Sequence, residues 1–140
     1  MNKIEATKFL ALIKVAYPSS YKNIDDDLAR ATVNMWQNTF KDVPYAIMEM
    51  AFERFRKVST FAPTVADMYE QLKALYYVAV GDAMTSDNED ILKLSKYVME
   101  QTSRFREGPG GCYEINYNSL AKLVSGKSGL LLEGGQADGS

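Results

Sequence analysis

The sequence contains no histidine and a single cysteine, Cys112. Without histidine, the commonest general acid–base and the commonest metal ligand are both missing. One sulfur and no imidazole cannot assemble a structural zinc site. A lone cysteine cannot close an internal disulfide, which fits a reducing compartment. Surplus positive charge is absent as well: 16 Lys and Arg stand against 18 Asp and Glu, a formal net charge of -2. A protein that lives on nucleic-acid phosphates needs cations to release counterions, so direct nucleic-acid binding is not expected. No apolar run reaches the length of a membrane span. The stretch Phe9 to Ile13 is cut by Lys14 and lacks the flanks of a signal peptide. These absences point to a cytoplasmic protein without membrane contact.

What is present suffices for a folded domain. The chain has 140 residues, 46% of them hydrophobic, and a chain of that size buries roughly two thirds of its unfolded surface. The hydrophobic period is that of helices throughout. Helix one is expected over Lys3–Tyr17, with Ala6, Phe9, Leu10, Ile13, Ala16 and Tyr17 inward and Pro18 as its stop. Helix two opens near Asp25, where Asp25, Asp26 and Asp27 suit the positive end of the helix dipole. Its inward stripe is read as Leu28, Ala31, Thr32, Met35, Trp36 and Phe40. Asp42-Val43-Pro44 starts helix three, with Asp42 as cap and Ile47, Met50, Ala51, Phe55 and Val58 inward. Pro63-Thr64 starts helix four, with Thr64 and Asp67 at capping-box spacing and Val65, Met68, Leu72, Leu75, Tyr76 and Ala79 inward. Gly81 and the polar run Thr85 to Asp90 are read as a loop.

Helix five is expected from Asp90 to Phe105, with Ile91, Leu94, Val98, Thr102 and Phe105 inward. The run Glu107 to Gly111 breaks it. Cys112 to Tyr117 alternates weakly, as an extended segment does, and Ser119 to Val124 suits a short helix. The expected architecture is all-α: a small helical bundle over residues 1–80, an accessory helix with a short extended or helical segment over 81–125, and a flexible tail over 126–140. Charge divides unevenly, with 10 basic and 9 acidic side chains in residues 1–75 (net +1) and 6 and 9 in residues 76–140 (net -3).

The candidate sites are few. Gly126-Lys127-Ser128 resembles the end of a phosphate loop, but that motif needs a glycine five positions earlier and Ala121 stands there. Asp25–Asp27 and the run Asp87 to Asp90 lack the alternating ligands and central glycine of a calcium loop. Trp36 lies on an apolar stripe and is assigned to the core, not to base stacking. Arg54, Arg56 and Lys57 read as a solvated helix face. No metal and no cofactor is expected, and with neither a metal grouping nor a phosphate loop the chain is read as a non-enzyme. Leu130, Leu131 and Leu132 stand apart, because three leucines sit inside a polar, glycine-rich segment. Either they fold back on the domain or they are a partner-binding anchor.

Three pieces of the first 75 residues together resemble the phage replicative-helicase loader/inhibitor family. They are Phe9-Leu10-Ala11-Leu12-Ile13 ending at Ala16-Tyr17-Pro18; Trp36 leading to Phe40-Lys41-Asp42-Val43-Pro44-Tyr45; and Phe61-Ala62-Pro63-Thr64-Val65-Ala66-Asp67. The resemblance implies a helical N-terminal domain and a non-ATPase adaptor in the bacterial host cell. Such an adaptor binds the hexameric, ring-shaped replicative DNA helicase, restrains it and delivers it to an origin-bound initiator protein. It also implies a helicase contact in a flexible C-terminal segment; here a fifth helix and the Cys112–Tyr117 stretch come before a shorter tail. Two other readings are compatible with the residues: a phage-encoded inhibitor of another host protein, which fits the acidic second half, and a DNA-binding replication accessory, for which no basic recognition helix is visible.

Overall fold

The computed structural model describes residues 1–103, 107, 108, 112, 113 and 115–131, with side chains over 1–102 and 115–125. In chain order the elements are α1 (Lys3–Ala16), α2 (Asp26–Thr39), α3 (Tyr45–Arg56), α4 (Val65–Met84), α5 (Glu89–Ser103), β1 (Glu107–Gly108), β2 (Cys112–Tyr113) and α6 (Tyr117–Leu131). The two strands are a two-residue antiparallel pair, with Glu107 opposite Tyr113 and Gly108 opposite Cys112. The protein is otherwise all-α among the described residues.

The helix starts are built by local side chains. Asn2 and Glu5 form a reciprocal capping box at α1, each side chain taking the other's backbone N–H at 2.8 Å. Asp25 accepts the Leu28 N–H at 2.7 Å and so caps α2. Thr64 and Asp67 make the expected box at α4, with bonds of 2.9 and 3.1 Å. Asn88 takes the N–H groups of Asp90 and Ile91 at α5, and Asn116 that of Ser119 at α6. Helix α3 departs from expectation: Asp42 does not cap it. Pro44 occupies the cap position with no side-chain bond, and its own carbonyl accepts from Ile47 and Met48.

Contacts divide the chain into two units, Met1–Leu72 and Lys73–Ser140. In the first, α1 packs against α2 and α3 around a train of aromatic rings. Phe40 stands 5.1 Å from Tyr69 and 5.5 Å from Trp36. Phe9 stands 5.7 Å from Trp36 and 5.6 Å from Phe52. Tyr17 closes on Phe52 and Phe55, each at 6.3 Å. Such ring pairs add about 0.5–1.5 kcal/mol each beyond their buried area. The Met1 amino group seals the end of α2 by donating to the carbonyls of Phe40, Lys41 and Val43 at 3.2, 3.0 and 2.6 Å. A positive group there meets the negative end of the helix dipole.

Two inward faces differ from those read in the sequence. On α2, Leu28, Ala31 and Met35 point to solvent, while Trp36 and Phe40 are buried and Ala29, Thr32 and Val33 partly covered. Both sets have helical spacing and share Thr32, Trp36 and Phe40; with Trp36 against Phe9 and Phe40 against Tyr69, Ala29 and Val33 turn inward in place of Leu28, Ala31 and Met35. On α3 the buried set is Ile47, Met48, Ala51, Phe52 and Phe55. Met50 and Val58, expected inside, are exposed. Phe52, facing both Phe9 and Tyr17, turns the helix toward its own side.

Helix α4 does not stop at Gly81. It continues to Met84, because Ala79, Val80 and Ala83 are buried on the same helix and that burial outweighs the roughly 1 kcal/mol cost of a mid-helix glycine. A methyl group built on Gly81 meets nothing within 4 Å. Gly81→Ala is therefore expected to raise stability by about 0.5–1 kcal/mol, read as a higher midpoint in urea or thermal melts monitored by circular dichroism. In the second unit α5 packs on α6, with Val98, Leu120 and Leu123 buried. The Ser95 hydroxyl, also buried, donates to the Val80 carbonyl at 3.4 Å. Helix α6 is longer than the Ser119–Val124 segment expected: it begins at Tyr117 and its backbone runs through Gly126 and Gly129 to Leu131. The apolar period that starts at Leu120, Leu123 and Val124 returns at Leu130 and Leu131, so the pattern spans the glycines. Residues 126–131 are thus helical, not tail. Phe105 lies outside the described residues.

Candidate functional site

The connection between α3 and α4 is short and pinned. Lys57 ends α3 in helical geometry, and the Val58 N–H still bonds the Phe55 carbonyl at 3.0 Å. The Tyr17 hydroxyl reaches across from the end of α1 and donates to the Ser59 carbonyl at 2.9 Å. The Ser59 hydroxyl accepts the Phe61 N–H at 3.2 Å and donates to the Phe61 carbonyl at 3.0 Å. Pro63 is buried, and the Thr64–Asp67 box follows at once. The backbone is held on both sides of Phe61, yet its side chain is 81% exposed and that of Val58 77%. Arg54, Arg56 and Lys57 precede them, all exposed. Arg56 pairs with Glu53 at 3.0 Å across exposed side chains, a pair worth little in water.

A second feature lies between α1, the turn after it and α2. A cleft of about 250 Å³ is lined by residues including Leu10, Lys14, Tyr21, Ile24 and Val33. The turn holds two non-glycine residues at positive φ, Tyr21 at 55° and Asn23 at 59°. Asparagine tolerates that region, whereas a bulky tyrosine there stores strain. Lys14 steadies the turn by donating to the carbonyls of Pro18 and Ser20 at 2.9 and 2.5 Å. Burial pushes the Tyr21 hydroxyl pKa up. Tyr45 is raised too, by burial first and then by the charges of Glu49 and Glu5. Both phenols stay protonated at neutral pH.

The residues singled out in the sequence fall in separate places. Trp36 is 2% exposed and belongs to the aromatic core. Asp25 is engaged as a helix cap, and Asp27 pairs with Arg30 at 2.6 Å. Asn88 caps α5. Among the described residues no group of three or more acidic or cysteine side chains is placed to hold a metal ion. Gly126, Lys127 and Ser128 lie inside α6, not in a loop that precedes a helix. Leu130 and Leu131 are the last two residues of α6, with side chains outside the described set, and Leu132 lies outside the described residues altogether. Sequence reasoning missed Val58 and Phe61. Val58 fitted the inward period of α3, and Phe61 was absorbed into a helix-start pattern.

Residues 1–69 match the N-terminal domain of the gp39P-like family. This is the phage helicase loader/inhibitor family, and the match takes in just under half of the chain. The matched region ends within α4 and takes in α1, α2 and α3, the pinned connection and the cleft, so both surface features sit on the family's own domain. The match to this family suggests a phage helicase-associated protein. Comparison with curated proteins and with solved structures gives no match. No described helix is long and apolar enough to cross a membrane.

Proposed function

We propose that this protein is a non-enzymatic phage DNA-replication adaptor: it binds a hexameric replicative helicase, restrains its ATPase and helps load it at an origin, where an origin-bound initiator protein receives it. The family match over residues 1–69 carries this reading. The lack of histidine and of a complete phosphate loop supports an adaptor that works through its partner's ATPase. Leu130, Leu131 and Leu132 are the proposed C-terminal anchor. One such contact is weak, and the symmetry of a ring multiplies it when several copies bind.

The test is a titration of the host's replicative helicase with the purified full chain. Helicase ATP turnover is expected to fall as the two associate, while the chain alone hydrolyses no ATP. Saturable nucleotide binding by the chain in calorimetry would refute the non-enzymatic reading. Absence of co-sedimentation with the helicase ring would refute the helicase reading.

A further inference from the structure

We propose that Phe61 and Val58, flanked by Arg54 and Lys57, form a preorganised anchor that inserts into an apolar pocket with an acidic rim on the helicase ring. The inference rests on the adaptor reading and names the surface of the N-terminal domain that serves it. Three observations carry it. First, Phe61 is the most exposed large hydrophobic side chain among the described residues, at 81%, and Val58, at 77% and level with Val15 of α1, lies three residues before it on the same connection. Second, that connection is not loose. Tyr17 holds Ser59, and Ser59 holds both backbone groups of Phe61. An aromatic side chain presented on a fixed backbone loses little conformational freedom on binding, so more of its burial appears as affinity. Third, the charged residues just before the pair, Glu53, Arg54, Arg56 and Lys57, carry a net charge of +2. Arg56 is engaged by Glu53, while Arg54 and Lys57 add positive charge beside the apolar pair, which selects carboxylates on the partner. An exposed aromatic beside arginine is the composition that interface centres favour.

A single-stranded nucleic acid would also offer a stacking face and negative charge. The protein partner is favoured because the chain carries one such aromatic here and a net charge of -2, without the basic groove that tracks a phosphate backbone.

The experiment measures binding of the full chain to the purified hexameric helicase by biolayer interferometry, with the wild type, Phe61→Ser, Lys57→Glu and Arg54→Glu. All three positions are exposed, so helical circular dichroism and melting temperature are expected to stay within error of wild type. Phe61→Ser is expected to weaken binding at least tenfold. Each charge reversal is expected to weaken it severalfold, by slowing association, and the loss should shrink as salt rises. Wild-type affinity in Phe61→Ser would overturn the anchor and leave the adaptor reading standing. No binding by the wild type would overturn the adaptor reading and the anchor with it. A parallel anisotropy titration uses an oligo-dT probe: binding that Phe61→Ser abolishes would reassign the surface to nucleic acid and overturn the protein-pocket proposal.

Discussion

Trp36→Ala is expected to remove about 3–5 kcal/mol of stability. The indole is 2% exposed and is held between Phe9 at 5.7 Å and Phe40 at 5.5 Å. Truncation to alanine forfeits its transfer free energy and leaves a cavity that two helices and a ring train cannot collapse into freely. A domain of this size is stable by about 5–15 kcal/mol in total, so the loss is a large share of what holds it folded. Urea melts followed at 222 nm read the effect directly. Trp36→Phe keeps a ring between Phe9 and Phe40 and should cost clearly less. An alanine variant that melts like wild type but no longer binds its partner would move Trp36 from the core to the binding surface.

The second large effect is expected at the proposed C-terminal anchor. Burying three leucines stabilises a contact by roughly 5–9 kcal/mol, and ordering a disordered segment costs about 2–5 kcal/mol. The α6 backbone already extends to Leu131, so for Leu130 and Leu131 that cost is reduced. Deleting residues 126–140 would also remove the last turns of α6, which makes substitution the cleaner probe. The combined change of Leu130, Leu131 and Leu132 to serine is expected to leave helical circular dichroism nearly intact. Helicase affinity should fall at least tenfold, about 1.4 kcal/mol. A strongly lowered melting temperature would place the leucines in the protein's own core. Unchanged stability together with unchanged binding would leave the contact to the N-terminal domain alone, where the Phe61 surface is the first place to look.

The number and order of the first five helices were legible in the sequence, because what starts and stops a helix is local. Asp25 and the Thr64–Asp67 pair act on backbone groups three residues away, and Pro18 ends α1 through its own ring. The resemblance to the helicase loader/inhibitor family was legible for the same reason: its three pieces are helix boundaries in a fixed order. The outer surface was less so. Leu28 and Met35 read as core from their spacing and lie at 56% and 50% exposure.

The sequence by itself determined that this protein is helical and where most of its helices begin. It also carried the resemblance of residues 1–69 to the helicase loader/inhibitor family. The tertiary structure decided which face of α2 and α3 turns inward, since a 3.6-residue period fixes the angle between side chains but not the direction of the core. There the rings of Phe9, Tyr17 and Tyr69 make the choice. It decided that α4 passes Gly81, because burial around Ala83 exceeds a propensity of about 1 kcal/mol. It decided that the Met1 amino group closes α2, a contact across about forty residues that no local pattern encodes. And it decided that Val58 and Phe61 stand in solvent on a pinned backbone, because the bond that fixes Ser59 comes from Tyr17 on the far side of two helices in sequence.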